Sequence, residues 1–118
     1  MGFTHVEIDL ANVADPGRHR GVQFLVDTGA LLTVVPTPIL EELSIQPIGE
    51  RSFRGFGGVV RRRIGVAQFR YQDSVAGASV IFGEEDDTPV LGVTALEALG
   101  YQVDPTTQQL KAVESLQL

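Results

Sequence analysis

Val22-Gln23-Phe24-Leu25-Val26-Asp27-Thr28-Gly29-Ala30-Leu31-Leu32-Thr33-Val34-Val35-Pro36 is the stretch that decides the reading of this chain. Val22 to Val26 is apolar at nearly every position, which predicts a strand buried on both faces. Leu31 to Val35, rich in β-branched residues, predicts another. Asp27-Thr28-Gly29 interrupts the two. A carboxylate set between apolar strands is costly unless it is paired or hydrogen-bonded. Thr28 offers a hydroxyl, and Gly29 lets the backbone turn sharply and bring its N–H close to the carboxylate. For a bare Asp-Thr-Gly, a common tripeptide, an Asx-turn that merely closes a bend is the preferred account. The strongly apolar flanks shift the balance toward an Asp held rigidly for use.

Outward from this stretch, the chain reads as strands and turns. Val6, Ile8 and Leu10 alternate with His5, Glu7 and Asp9, the pattern of a half-buried strand. Asp15-Pro16-Gly17 marks a turn. Thr37-Pro38 opens a short helix, with Thr37 as cap and Pro38 at the first helical position, running to about Leu43. Residues 48–54 read as extended, Gly55-Phe56-Gly57-Gly58 as a flexible tip and Val59 to Tyr71 as a long strand, so that the two arms form a hairpin. Asp73 to Gly77 turns into Ala78–Phe82. Thr94-Ala95-Leu96-Glu97 matches a capping box, and Gly100 after Leu99 is a left-handed stop. Tyr101–Val103 and Leu110–Val113 close the chain as a final hairpin. Many short strands with two short helices make the class mainly β. Too few helices are present to serve as crossovers, so a closed or partly closed barrel is expected rather than a parallel α/β sheet.

Composition narrows the function. At 118 residues, positions 1–118 are expected to form a single domain. Cys is absent, which excludes disulfides, thiolate metal sites and a Cys nucleophile. The apolar stretches are too short for a membrane span, and Glu7 and Asp9 stand where a secretory leader would be apolar. Neither membrane association nor a signal peptide is expected, and a cytoplasmic location is. The net charge of −6 disfavours nucleic acid as partner, because phosphate binding needs a basic surface. Arg61-Arg62-Arg63 is answered by Glu84-Glu85-Asp86-Asp87, and both runs read as solvated faces. His5 and His19 lack partners at ligand spacing and read as surface histidines. Ser52, Ser74 and Ser79 lack a nucleophile-elbow context. Glu84–Asp87 lacks the spaced acidic pattern of a Ca²⁺ loop.

With these residues in view, the chain resembles the retroviral-type aspartic proteases, or retropepsins, and most of all their single-domain bacterial and archaeal relatives. Phe24–Ala30 followed by Leu31–Pro36 looks like their active-site segment. Gly55-Phe56-Gly57-Gly58 with Val59-Val60 is similar to their glycine-rich flap. Val90-Leu91-Gly92 and the helix ending at Leu99-Gly100 resemble their hydrophobic-hydrophobic-Gly motif and the helix after it. Tyr101–Asp104 with Leu110–Val113 matches their closing hairpin. The ordered set spans about Val6 to Val113.

The resemblance implies an aspartic endopeptidase that works as a homodimer through its Asp27 loops, since the family uses two aspartates and this chain has one Asp-Thr-Gly. Two carboxylates about 3 Å apart share one proton, the charged one serving as base on a water and the protonated one polarising the scissile carbonyl. The pair titrates as a unit. Asp27 would be the catalytic carboxylate. Thr28 would hydrogen-bond across the dimer, and Gly29, with Ala30 beside it, would touch substrate backbone. Arg54, Gly55, Phe56, Gly57, Gly58 and Val59 would close over a peptide or protein substrate and exclude water. No cofactor or metal is implied. The pockets would be lined by Leu31–Val35, the flap and Val90–Thr94, which implies apolar side chains flanking the cut. Retroviral enzymes usually carry Arg after Val-Leu-Gly-type motifs; here Val93-Thr94 stands there, so the dimer contacts must differ. Residues 1–4 and 115–118 do not match the retroviral terminal strands. The alternative is a non-catalytic peptide-binding or regulatory module on the same fold.

Overall fold

Alternation in the first strand sets the inner face of the sheet. In the computed structural model, which describes residues 3–55 and 57–114, strand β1 (His5–Ala11) buries Val6, Ile8 and Leu10 and exposes His5 and Glu7. Strand β2 (His19–Val26) returns antiparallel to it, with Val22 opposite Ile8 and Phe24 opposite Val6. The turn between them is held by Asn12. Its Oδ1 accepts the Ala14 N–H at 2.8 Å, and its Nδ2 donates to the Leu43 carbonyl at 2.9 Å.

The remaining elements follow in order: β3 (Thr33–Pro36), α1 (Thr37–Glu42), β4 (Gly49–Gly55), β5 (Gly58–Tyr71), β6 (Ser74–Gly83), β7 (Val90–Leu91), α2 (Val93–Leu99), β8 (Tyr101–Val103) and β9 (Leu110–Ala112). The sheet order is β1-β2-β7-β3-β6-β5-β4, and β5 returns to β1 through Gln68–Arg70. This closes a ring, but only over a three-residue contact, so the barrel is partly closed. β4 lies outside the ring and, among the described residues, pairs with β5 alone. Among the described residues two pairings are parallel, β2 with β7 and β3 with β6. β8 and β9 form a separate hairpin, with Tyr101 edge-on to Tyr71 at 4.9 Å.

The ring is filled by inward side chains. Ile8, Leu10, Phe24, Val35, Leu40, Phe69, Val80 and Leu91 are fully buried, each stabilising by roughly 1.5–3 kcal/mol relative to exposure. Phe24 and Phe69 meet across the middle at 6.3 Å between ring centroids.

Several local expectations give way to tertiary contacts. Val22–Val26 is not buried on both faces: Gln23 is exposed between buried Val22 and Phe24. The strand expected over Leu31–Val35 starts only at Thr33, and Leu31 is 71% exposed. Thr37 is not the cap of α1. Pro36 occupies that position, and the Thr37 hydroxyl instead donates to the Gly83 carbonyl at 2.7 Å, tying α1 to the end of β6. α2 is likewise capped by Gly92 without a side-chain bond. Its capping-box threonine, Thr94, donates to the Leu31 carbonyl. The turn expected over Asp73–Gly77 is shorter, because left-handed Gln72 (φ 54°) lets Tyr71 pair directly with Ser74. His19 begins β2, exposed as a surface histidine, and meets Asp9 Oδ1 at 3.0 Å. Gly100 takes the left-handed stop expected of it, with φ 80°.

Candidate active site

Asp27 emerges where a parallel pairing ends. Leu25 and Val26 lie opposite Val90 and Leu91, and the Asp27 N–H makes the last rung, donating to the Leu91 carbonyl at 3.0 Å. The chain then turns at once, with the Ala30 N–H donating to the Asp27 carbonyl at 3.1 Å. Within this turn the Gly29 N–H donates to Asp27 Oδ1 at 2.8 Å, which fixes the carboxylate. Gly29 is suited to the position by closeness: a Cβ there would stand 3.2 Å from that oxygen. Asp27, Thr28 and Gly29 are all exposed on this chain. The expected cost of burying Asp27 between strands therefore does not arise within one chain.

The loop is bound to the start of α2 from below. The Val93 N–H donates to the Ala30 carbonyl at 2.8 Å, and the Thr94 N–H to the Leu31 carbonyl at 3.0 Å. The Gly92 N–H donates to the hydroxyl of Thr33 at 3.0 Å, and Thr33 is fully buried. Gly92 lies so close that an added Cβ would be 2.5 Å from the Leu32 carbonyl carbon. Only a residue without a side chain permits this approach. Thr33, expected from sequence only as one of the pocket-lining residues 31–35, instead supports the loop from inside the core. Its signal was a lone hydroxyl at an inward strand position next to Val35.

Beside the loop runs an open cleft of about 410 Å³. Ala30–Leu32 and Val34 form one wall, Arg51–Arg54 of β4 the other, and Ile81 of β6 completes it. Ala30 and Arg54, both named from sequence, thus meet here. Of Val90–Thr94, expected to line pockets, Leu91 and Gly92 are buried beneath the loop, whereas Thr94 is exposed. Arg51, Phe53 and Ile81 were not singled out, and Ser52 was weighed only as a serine without a nucleophile context. Gly55, Gly57, Gly58 and Val59 stand at the exposed hairpin tip, with Gly55 paired to Gly58 and Gly58 at φ 106°. Phe56 lies outside the described residues. The arginine run sits in a separate polar depression, where Arg62 meets Glu84 at 2.9 Å and Arg61 meets Glu50 at 3.2 Å. Among the described residues, no three His, Asp or Glu side chains gather as a metal site.

The sequence profile of the aspartyl protease family matches residues 11–95, a span containing Asp27, the β4–β5 hairpin and Gly92. The chain belongs to the aspartyl protease family. Among curated proteins, none matches it by sequence. Its fold is similar to that of EIAV protease solved with an inhibitor, with a TM-score of 0.68 and 17% identity over 87% of this chain and 93% of that one. Simian foamy virus (mac) protease matches with a TM-score of 0.58 and 19% identity, over 80% of this chain and 92% of that one. A retropepsin-like aspartic protease from Rickettsia conorii matches with a TM-score of 0.54 and 17% identity, over 88% and 89%. This aspartyl protease therefore has the retropepsin-like fold, mainly β and partly closed.

Proposed function

We propose that the chain is an aspartic endopeptidase that acts as a symmetric homodimer, each copy bringing one Asp27. The observation that carries this reading is an exposed carboxylate fixed by the Gly29 N–H at 2.8 Å, on a loop whose following residues Ala30–Leu32 line a cleft walled by a β-hairpin. Facing copies of Asp27 share one proton. The ionised member takes a proton from a water as its oxygen bonds to the scissile carbonyl carbon, and the other gives its proton to the carbonyl oxygen. Transfer of a proton to the peptide nitrogen and cleavage of the C–N bond then release an amine and a carboxylic acid. Thr28 joins the two loops, and Gly29 and Ala30 lie against substrate backbone. Arg54, Gly55, Gly57, Gly58 and Val59 cover the peptide. No metal or cofactor takes part. No described helix is long and apolar enough to cross a membrane, and the proposed location is cytoplasmic.

The test is Asp27→Asn. The amide oxygen can still accept the Gly29 N–H, so the fold persists, while peptide hydrolysis falls at least roughly 10³-fold. Wild-type activity per chain rises with protein concentration, as a dimer requires. Hydrolysis that survives Asp27→Asn overturns the mechanism. A strict monomer in sedimentation at high concentration favours a non-catalytic peptide-binding module.

A further inference from the structure

The charge of this chain is unevenly placed. The protein carries −6 overall, yet the hairpin segment 49–63 holds five arginines, Arg51, Arg54, Arg61, Arg62 and Arg63, against a single acid, Glu50. Three of the five are occupied. Arg61 meets Glu50, Arg62 meets Glu84, and Arg63 stacks over the Phe82 ring at 4.8 Å. Elsewhere Arg18, Arg20 and Arg70 each reach a carboxylate. Among the described residues, Arg51 and Arg54 are the arginines with no ion pair, hydrogen bond or aromatic partner, and both line the cleft beside the Asp27 loop.

Arg51 is the better placed of the two. On β4 it shares a face with Phe53, and its cross-strand partner is Arg62. Like charges directly opposite are unfavourable; Glu84 answers Arg62 at 2.9 Å, whereas Arg51 has no carboxylate partner among the described residues and is left for an incoming anion. The opposite wall is apolar: Leu32, Val34 and Ile81. A side chain with an aliphatic stem and an anionic head satisfies both walls at once. Glutamate has that form, with methylenes for the apolar wall and a carboxylate for the guanidinium.

We infer that Arg51 is a specificity-determining residue, and that the cleft selects peptides carrying a carboxylate side chain, glutamate above all, at the position next to the Asp27 loop. This rests on the endopeptidase reading for its consequence in cleavage, but the binding preference can be measured without it. It also refines the apolar preference expected from the sequence, since the apolar wall is matched by a charged one.

The experiment uses full-length protein carrying Asp27→Asn and fluorescein-labelled decapeptide pools, apolar throughout except for one Glu, Gln or Lys placed at each position in turn. Fluorescence anisotropy reads binding. At one position Glu binds roughly 10-fold or more tightly than Gln or Lys, and the ratio shrinks as salt rises. Arg51→Met removes the preference, Arg51→Glu inverts it toward Lys, and Arg51→Lys retains most of it. Arg18→Gln, in the far β1–β2 turn, leaves the ratio as it was. Absence of binding, absence of a charge preference, or a preference untouched by Arg51→Glu overturns the inference. The same pools given to protein with Asp27 intact test cleavage separately. Glu-selective binding without Asp27-dependent cleavage overturns the endopeptidase reading alone, whereas cleavage indifferent to charge overturns the role of Arg51 alone.

Discussion

The Asp27 loop and the β4–β5 hairpin face each other across one cleft and are built in opposite ways. From Asp27 to Thr33 the backbone is tied into its surroundings by bonds to Leu91, Val93 and Thr94, and its base rests on the buried Thr33 hydroxyl. From Gly49 to Arg63 the hairpin is held by its own ladder. Of its described residues only Phe53 and Arg62 are even half-buried. The difference separates two duties. A reacting carboxylate needs a fixed position, because misplacement is costly in rate. A segment that must admit and release a peptide is drawn from the least stable part of a fold.

This contrast can be broken most forcefully at Gly92. Gly92→Ala drives a methyl against the Leu32 carbonyl, and unfolding in urea should show a loss of about 3 kcal/mol, the upper part of the range for overpacking. A loss below about 1 kcal/mol means the loop base is softer than its geometry implies. Hydrogen exchange sharpens the comparison directly. The amides of Val26 and Asp27 should exchange roughly 100-fold more slowly than those of Ser52 and Val60, a gap of about 2.7 kcal/mol in opening free energy. Equal rates erase the distinction.

Thr33→Val keeps the shape of the loop base but strips the acceptor from the Gly92 N–H. Leaving a buried donor unpaired costs about 2 kcal/mol, read from the urea midpoint, and cleavage should fall with it. At the small end stands Glu50→Gln. It breaks an exposed ion pair with Arg61, both side chains being more than half exposed, and should change stability by less than about 1 kcal/mol. A larger loss would show that the hairpin depends on side-chain pairing as well as on its ladder.

Legibility in the sequence followed the range of the interaction. β1 was readable because one face is buried along its whole length, so alternation survives in Val6, Ile8 and Leu10. Gly100 was readable because a left-handed stop is a local requirement. Asp27, Thr28 and Gly29 were readable as a unit because the bond from the Gly29 N–H to Asp27 spans two residues. The threonines were misread for the converse reason. Thr37 and Thr94 have the local form of caps, but their hydroxyls serve Gly83 and Leu31, 46 and 63 residues away in sequence. A propensity for capping yields when a distant carbonyl is left without a donor.

The amino-acid sequence alone determined the mainly β class, the rigid Asp-Thr-Gly turn and the glycine-tipped hairpin, since each is written in neighbours a few positions apart. Only the tertiary structure decided that Gly92 and Thr33 support the loop, and that Arg51 stands opposite Leu32, Val34 and Ile81. Those relations join residues tens of positions apart. They exist only once the parallel pairings of β2 with β7 and β3 with β6 bring the chain back on itself.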